Sequence, residues 1–237
     1  MSKIGTWLPL LSSAISFVFA AMVFQRYWWR RKTHLLLWGI GLAMYCLGVL
    51  CEALYSAFGW NELTFRLWYL FGAMLAAAYL GQGTVYLLAS RRVANVLMVI
   101  LLLGSIYGAF RIAGAELEPS LMIAGELSGH AIVTPGVRIL TPFFNTYGLI
   151  TLVGGALYSA WIFWRRRMLL NRVIGNILIA VGAMAPALGG LFSRLGLGQY
   201  LYLGELLGAA LMFAGFLRAT APAEVEKRIE ISQVSKA

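Results

Sequence analysis

Between Leu35 and Leu88 two apolar runs stand back to back, LLLWGIGLAMYCLGVLCEALYSAF and LTFRLWYLFGAMLAAAYLGQGTVYLL, separated only by the break GWNE. Each exceeds the roughly twenty apolar residues that carry a helix across a bilayer. The pair reads as a transmembrane helical hairpin, and the rest of the chain repeats its physics. The sequence is 61% hydrophobic and only 12% charged, whereas soluble domains are about one quarter charged. Lipid must therefore be its main solvent.

The pattern predicts an all-α, polytopic bundle of seven transmembrane helices, at Leu8–Tyr27, Leu35–Phe58, Leu63–Ala89, Val93–Phe110, Phe143–Trp164, Val173–Phe192 and Tyr200–Leu217. The links after the first, third and fifth helices hold Arg26, Arg30, Arg31, Lys32, Arg91, Arg92, Arg165, Arg166, Arg167 and Arg172, and the C-terminal tail adds Arg218, Lys227, Arg228 and Lys236. The opposite side holds Lys3, Arg66, Arg111, Arg138 and Arg194. The positive-inside rule then places the N-terminus outside and the C-terminus in the cytoplasm of a bacterial-type inner membrane. This clustering between apolar runs also explains the net charge of +10 without nucleic acid as a partner. Trp28, Trp29, Trp38, Trp60, Tyr69, Trp161 and Trp164 lie near run ends, as interfacial anchors do. The basic cluster that follows the first run argues against a cleaved signal peptide.

Residues 1–218 make the expected membrane domain and 219–237 a polar cytoplasmic tail, too short for a core of its own. The long outer connection, 111–142, contains Glu116, Glu118, Glu126, His130 and the stretch HAIVTPGVRILTP. A Pro-Gly turn between two β-branched runs predicts a small hairpin cap. The apolar groups of this loop, among them Ile132, Val133, Val137 and Ile139, are too many to leave in water. A weak internal echo relates Trp29-Arg30-Arg31 and Leu70-Phe71-Gly72-Ala73-Met74-Leu75 to Trp164-Arg165-Arg166 and Leu206-Leu207-Gly208-Ala209-Ala210-Leu211. It suggests a parallel 3+1+3 duplication, an organisation found in some transporters.

Glu52 and Glu205 are the two acids within the apolar runs. Each is about six residues from an outer helix end, roughly 10 Å below the outer surface. A carboxyl in the membrane costs a few kcal/mol and should face the interior with a partner. Arg66 and Arg194 stand at a similar level, and Tyr55, Tyr69, Tyr202 and Gln199 complete a candidate polar layer. That layer is either a site for a small ligand or a proton, or a satisfied contact that fixes helix register. Gly204 and Gly208, and Gly155 with Ser159, have the small-xxx-small spacing of close helix packing, within the chain or against a partner's helix. Gln82 between Gly81 and Gly83 suggests an interhelical hydrogen bond, and Pro186 a kink.

Several chemistries lack their residues. Cys46 and Cys51 point to different faces of one helix and read as small buried hydrophobes. His34 and His130 belong to opposite faces, so together they cannot ligate one bilayer haem. No lysine lies between Lys32 and Lys227 to bind retinal, and no HExxH or GxSxG is present. The expectation is a chain that is not an enzyme, holds no metal or cofactor, and is bound by lipid.

The residues Trp38, Tyr45 and Cys51-Glu52-Ala53-Leu54, followed by Phe65-Arg66-Leu67-Trp68-Tyr69-Leu70-Phe71-Gly72, resemble the seven-helix N-terminal sensor region of bacterial histidine kinases. The resemblance implies seven helices, an outside N-terminus and ligand sensing, while nothing after Leu217 reads as a kinase or other output domain. Three functions are compatible with these features. One is a non-catalytic integral subunit of a larger membrane complex, for instance an electron-transfer complex, that meets other integral membrane proteins through helix packing. Another is an orphan sensor acting through a partner protein, and the third is a small 3+1+3 transporter.

Overall fold

A computed structural model describes residues 3–122, 126–165, 170–194 and 199–221, with backbone alone at 3–5, 193–194 and 199. Ile123 and Gly125 of the expected cap, and the expected polar tail beyond 221, lie outside the described residues. The chain is an all-helical multi-pass membrane protein. Seven helices are long and apolar enough to cross a membrane. They are α1 (Lys3–Arg30), α2 (Thr33–Phe58), α3 (Glu62–Leu88), α4 (Arg91–Ala113), α5 (Val137–Arg165), α6 (Leu170–Arg194) and α7 (Gln199–Ala219).

Local chemistry sets the breaks. Gly59 ends α2 at φ 82°, its N–H bonded to the Tyr55 carbonyl at 2.8 Å, a conformation that favours glycine. Two residues later Asn61 Oδ1 accepts from the Thr64 N–H at 3.0 Å and caps α3. Within α3, Trp68–Leu75 is π-helical. Pro135 and Gly136, the latter at φ 83°, launch α5 six residues before the expected start at Phe143. The second arm of the expected hairpin, Val137-Arg138-Ile139-Leu140, is therefore helix. Intrinsic β-preference is weak, and the apolar side chains of this segment gain more by joining a helix that packs on the bundle. Among the described residues the cap's one β-contact is elsewhere: Leu117 and Ile132 form an isolated antiparallel bridge, with Glu118 N–H to the Ala131 carbonyl at 2.8 Å and Val133 N–H to the Glu116 carbonyl at 3.1 Å.

Six helices form a closed ring. Following contacts around it, α1 packs on α2, α2 on α3, α3 on α5, α5 on α6, α6 on α7, and α7 returns to α1. The fourth helix leans on the outside of α3 and α5 and is the least buried span. Gln82, fully buried in α3, ties it down: Nε2 donates to the Ala94 carbonyl at 2.8 Å while Oε1 accepts from Tyr147 of α5. The half of the bundle beneath the 111–136 connection is cored by Phe65, Trp68, Tyr69 and Met74, and Leu127, Ala131, Ile132 and Val137 join that same cluster. The cap is thus packed against the helices.

Glycines set the closest approaches. A Cβ on Gly48 of α2 would lie 2.5 Å from the Gly72 Cα of α3, and one on Gly208 of α7 would lie 2.9 Å from the Gly182 carbonyl of α6. Gly41 and Gly48 share the seven-residue spacing of Gly175 and Gly182. Gly72 and Gly208 are the corresponding positions of the sequence echo. The first three and last three spans therefore meet at corresponding glycines, and the halves join at α3–α5 and α7–α1.

Candidate functional site

The Gly48–Gly72 approach determines what lies one turn above it. Glu52 follows Gly48 by four residues, and Trp68 precedes Gly72 by four on the antiparallel α3. Residues four apart share a helix face, so the glycine contact brings indole and carboxyl together. Trp68 Nε1 donates to Glu52 Oε1 at 2.7 Å, and both side chains are buried.

From the far side of the ring α7 supplies Glu205. Its carboxyl faces that of Glu52 within hydrogen-bonding reach. Tyr45, two turns below Glu52 on α2, donates its hydroxyl to the Glu205 backbone carbonyl at 2.8 Å. Glu126 of the cap is itself buried and lies within electrostatic reach of both carboxyls. Tyr202 of α7, 5% exposed, lies within electrostatic reach of Glu52, Glu126, Glu205 and Tyr55. The site thus draws on α2, α3, α7 and the cap, beneath the 111–136 connection.

Its hydrogen bonding is incomplete in a specific way. Among the described residues, Glu52 Oε2 and Glu205 Oε2 are buried without a donor. An ionised carboxyl is acceptor-only, and two bare carboxylates in contact repel. One proton on either glutamate converts the contact into a hydrogen bond. The chemistry that the arrangement supports is the gain and loss of that proton. Among the described residues, no group of three His, Cys, Asp or Glu could hold a metal ion.

The other candidates fall elsewhere. Arg66 does not reach the glutamates of the bundle. It pairs with Glu62 one turn earlier, Nη2 to Oε1 at 2.6 Å, and donates to the carbonyls of Ile112 and, at 2.9 Å, Ala115. A long guanidinium near a helix end gains more from that exposed carboxylate and the carbonyls at and just past the end of α4 than from descending into the bundle. Tyr69 is buried but accepts from Thr141 Oγ1 at 2.9 Å and lies under Gly129, serving the cap. The side chains of Arg194 and Gln199 lie outside the described residues. Gly155 faces Thr84 and Leu88 of α3, Ser159 is buried, and Gly204 faces Ala185 and Gly189 of α6. These small residues, with Gly208, pack the chain against itself.

Tyr202 belongs to the expected polar layer, whereas Trp68, Tyr45 and Glu126 are participants that the sequence reading did not assign. One signal pointed to Trp68: an indole N–H in a buried segment needs an acceptor, and Glu52 is the acid of the preceding helix. No family model, curated protein or solved structure matches the chain.

Proposed function

We propose that this chain is a non-catalytic seven-helix sensor of a bacterial-type cytoplasmic membrane, acting through a partner protein, with its N-terminus outside and its C-terminus cytoplasmic. The observation that carries the reading is the facing pair Glu52–Glu205, each with one buried oxygen that lacks a donor. A proton binding there changes the force between α2 and α7 from repulsion to attraction, which is what a two-state sensing element requires. The neighbouring Glu126 of the outer cap directs this element toward the outside. The test is infrared difference spectroscopy on the protein in lipid vesicles, stepped between acidic and alkaline outer buffer. A carboxylic-acid C=O band should appear on acidification and vanish in Glu52→Gln and in Glu205→Gln. A band unchanged in both variants would sink the reading.

A second reading, an accessory subunit of a larger membrane complex, is supported by α4. It stands outside the ring and turns Val96, Val99, Ile100, Leu103, Ile106 and Phe110 outward. A photocrosslinker placed at Leu103 in native membranes should capture a protein if α4 is a subunit contact, and lipid alone if it is not.

A further inference from the structure

Among the described residues, four fully buried side-chain oxygens lack a hydrogen-bond partner: Ser12 Oγ, Ser16 Oγ, Glu52 Oε2 and Glu205 Oε2. They are not scattered. They belong to α1, α2 and α7, which follow one another around the ring. The two serines are four residues apart on α1 and both are 0% exposed, so they share one inward face. Other buried hydroxyls of this bundle bond back to the carbonyl four residues earlier, Ser105 to Leu101 at 2.7 Å and Thr84 to Leu80 at 3.4 Å. Ser12 and Ser16 do not. A buried hydroxyl left unbonded costs stability, so these two call for a partner.

Tyr45 ties the four oxygens together. Its hydroxyl donates to the Glu205 backbone carbonyl at 2.8 Å, and its lone pairs can still accept. It lies within electrostatic reach of both carboxyls, and the Ser12 hydroxyl stands beside it without completing a bond. Serines one turn apart on a helix hold their Cβ atoms roughly 5–6 Å from each other. One water closes such a gap with two ordinary hydrogen bonds. At this place it meets Ser12, Ser16 and Tyr45, and about three partners is usual for a buried water.

We propose that the sector between α1, α2 and α7 binds internal water. One molecule bridges the hydroxyls of Ser12, Ser16 and Tyr45, and a short file continues past Tyr45 to Glu52 Oε2 and Glu205 Oε2. The water supplies donors to carboxyl oxygens that have none from the protein. It also joins α1, which contributes no acid, to the protonation site. Its part in sensing rests on the carboxyl-pair reading above, whereas its presence at α1 does not.

The experiment has two arms, both on the full chain. The first is thermal unfolding of Ser12→Ala and of Ser16→Ala in mild detergent. Where water bonds the hydroxyls, each substitution removes a hydrogen bond. The melting temperature should then fall by roughly 2–4 °C, the shift that about one such bond makes in a chain of this size. Dry hydroxyls would be relieved by the same changes, so a melting temperature unchanged or raised in both variants would overturn the site. The second arm is infrared difference spectroscopy in lipid vesicles across a pH step, in ordinary water and in water labelled with heavy oxygen. An O–H stretching band that shifts with the label should accompany the carboxylic-acid band. It should vanish in Ser12→Ala while the carboxylic-acid band stays. A carboxylic-acid band with no label-sensitive companion would overturn the link between water and the pair. Absence of the carboxylic-acid band from wild type would remove the sensor reading and leave the water at α1 to be decided by the melting temperatures.

Discussion

Glu52 and Glu205 are held by unequal means. The first has an indole donor, whereas the second has its backbone carbonyl engaged by Tyr45 and one carboxyl oxygen dependent on its neighbour. Trp68→Phe removes the donor to Glu52 and should lower stability by about 1–3 kcal/mol, the usual cost of leaving a buried polar group unsatisfied. Thermal unfolding in mild detergent measures it, and the loss should shrink when Glu52→Gln is combined with it. Glu205→Gln should fold as well as wild type, because the amide brings a donor to Glu52 Oε2 while carrying no charge. Burial of the two glutamates follows from the sequence alone, since hydrocarbon cannot solvate a carboxylate. The groups that meet them do not follow. Arg66 looks like a counter-charge by depth, yet a nearer carboxylate and two backbone carbonyls take it. Tyr45 and Glu126 become visible only once it is known which helix faces touch.

Pairs of helices owe their spacing to absent side chains. Gly48→Ala places a methyl 2.5 Å from the Gly72 Cα, which is backbone and cannot step aside. The variant should be destabilised by about 1–3 kcal/mol as α2 and α3 separate. Gly154→Ala is the matched control: nothing lies within 4 Å of its Cβ, and the substitution should be neutral or gain up to about 1 kcal/mol of helix preference. Melting temperatures of the two variants under one detergent condition make the comparison. The cap belongs to the same scale. Leu127, Ala131 and Ile132 share the core of α3, so protease added outside should cut the 111–136 segment slowly in intact protein and rapidly after unfolding. The sequence signals this packing by apolar content but misassigns its form, because a β-branched run next to Pro-Gly fits a strand and a helix start equally well.

Across the whole molecule, the number of spans is legible because run length alone decides it. The order of helices around the ring is not. Lipid tails are as apolar as a protein core, so interior and exterior faces draw on the same residues and leave little periodic contrast. What the sequence does hold of the ring is its glycines: the spacing of Gly41 and Gly48 repeated in Gly175 and Gly182 marks the two faces that meet α3 and α7. The basic clusters make a further expectation at this scale. A reporter fused after Ala237 should be active in the cytoplasm and silent in the periplasm, and the opposite result would invert the molecule.

One more consequence attaches to the π-helical stretch Trp68–Leu75. A π turn accommodates a residue that an α-helix of the same length has no place for. That makes α3 a helix with a letter to spare, and the surplus sits in a stretch that contains Gly72, which touches α2, and precedes Gln82, which anchors α4. Deleting Ala73 would let the stretch relax to ordinary α-helix with its two ends in nearly the same register, because the wide turn already absorbs the additional residue. Trp68 should then stay on Glu52 while Gln82 stays with Ala94 and Tyr147. The spare letter is thus stored in the turn beside Gly72, and the two ends of α3 keep their partners with it or without it.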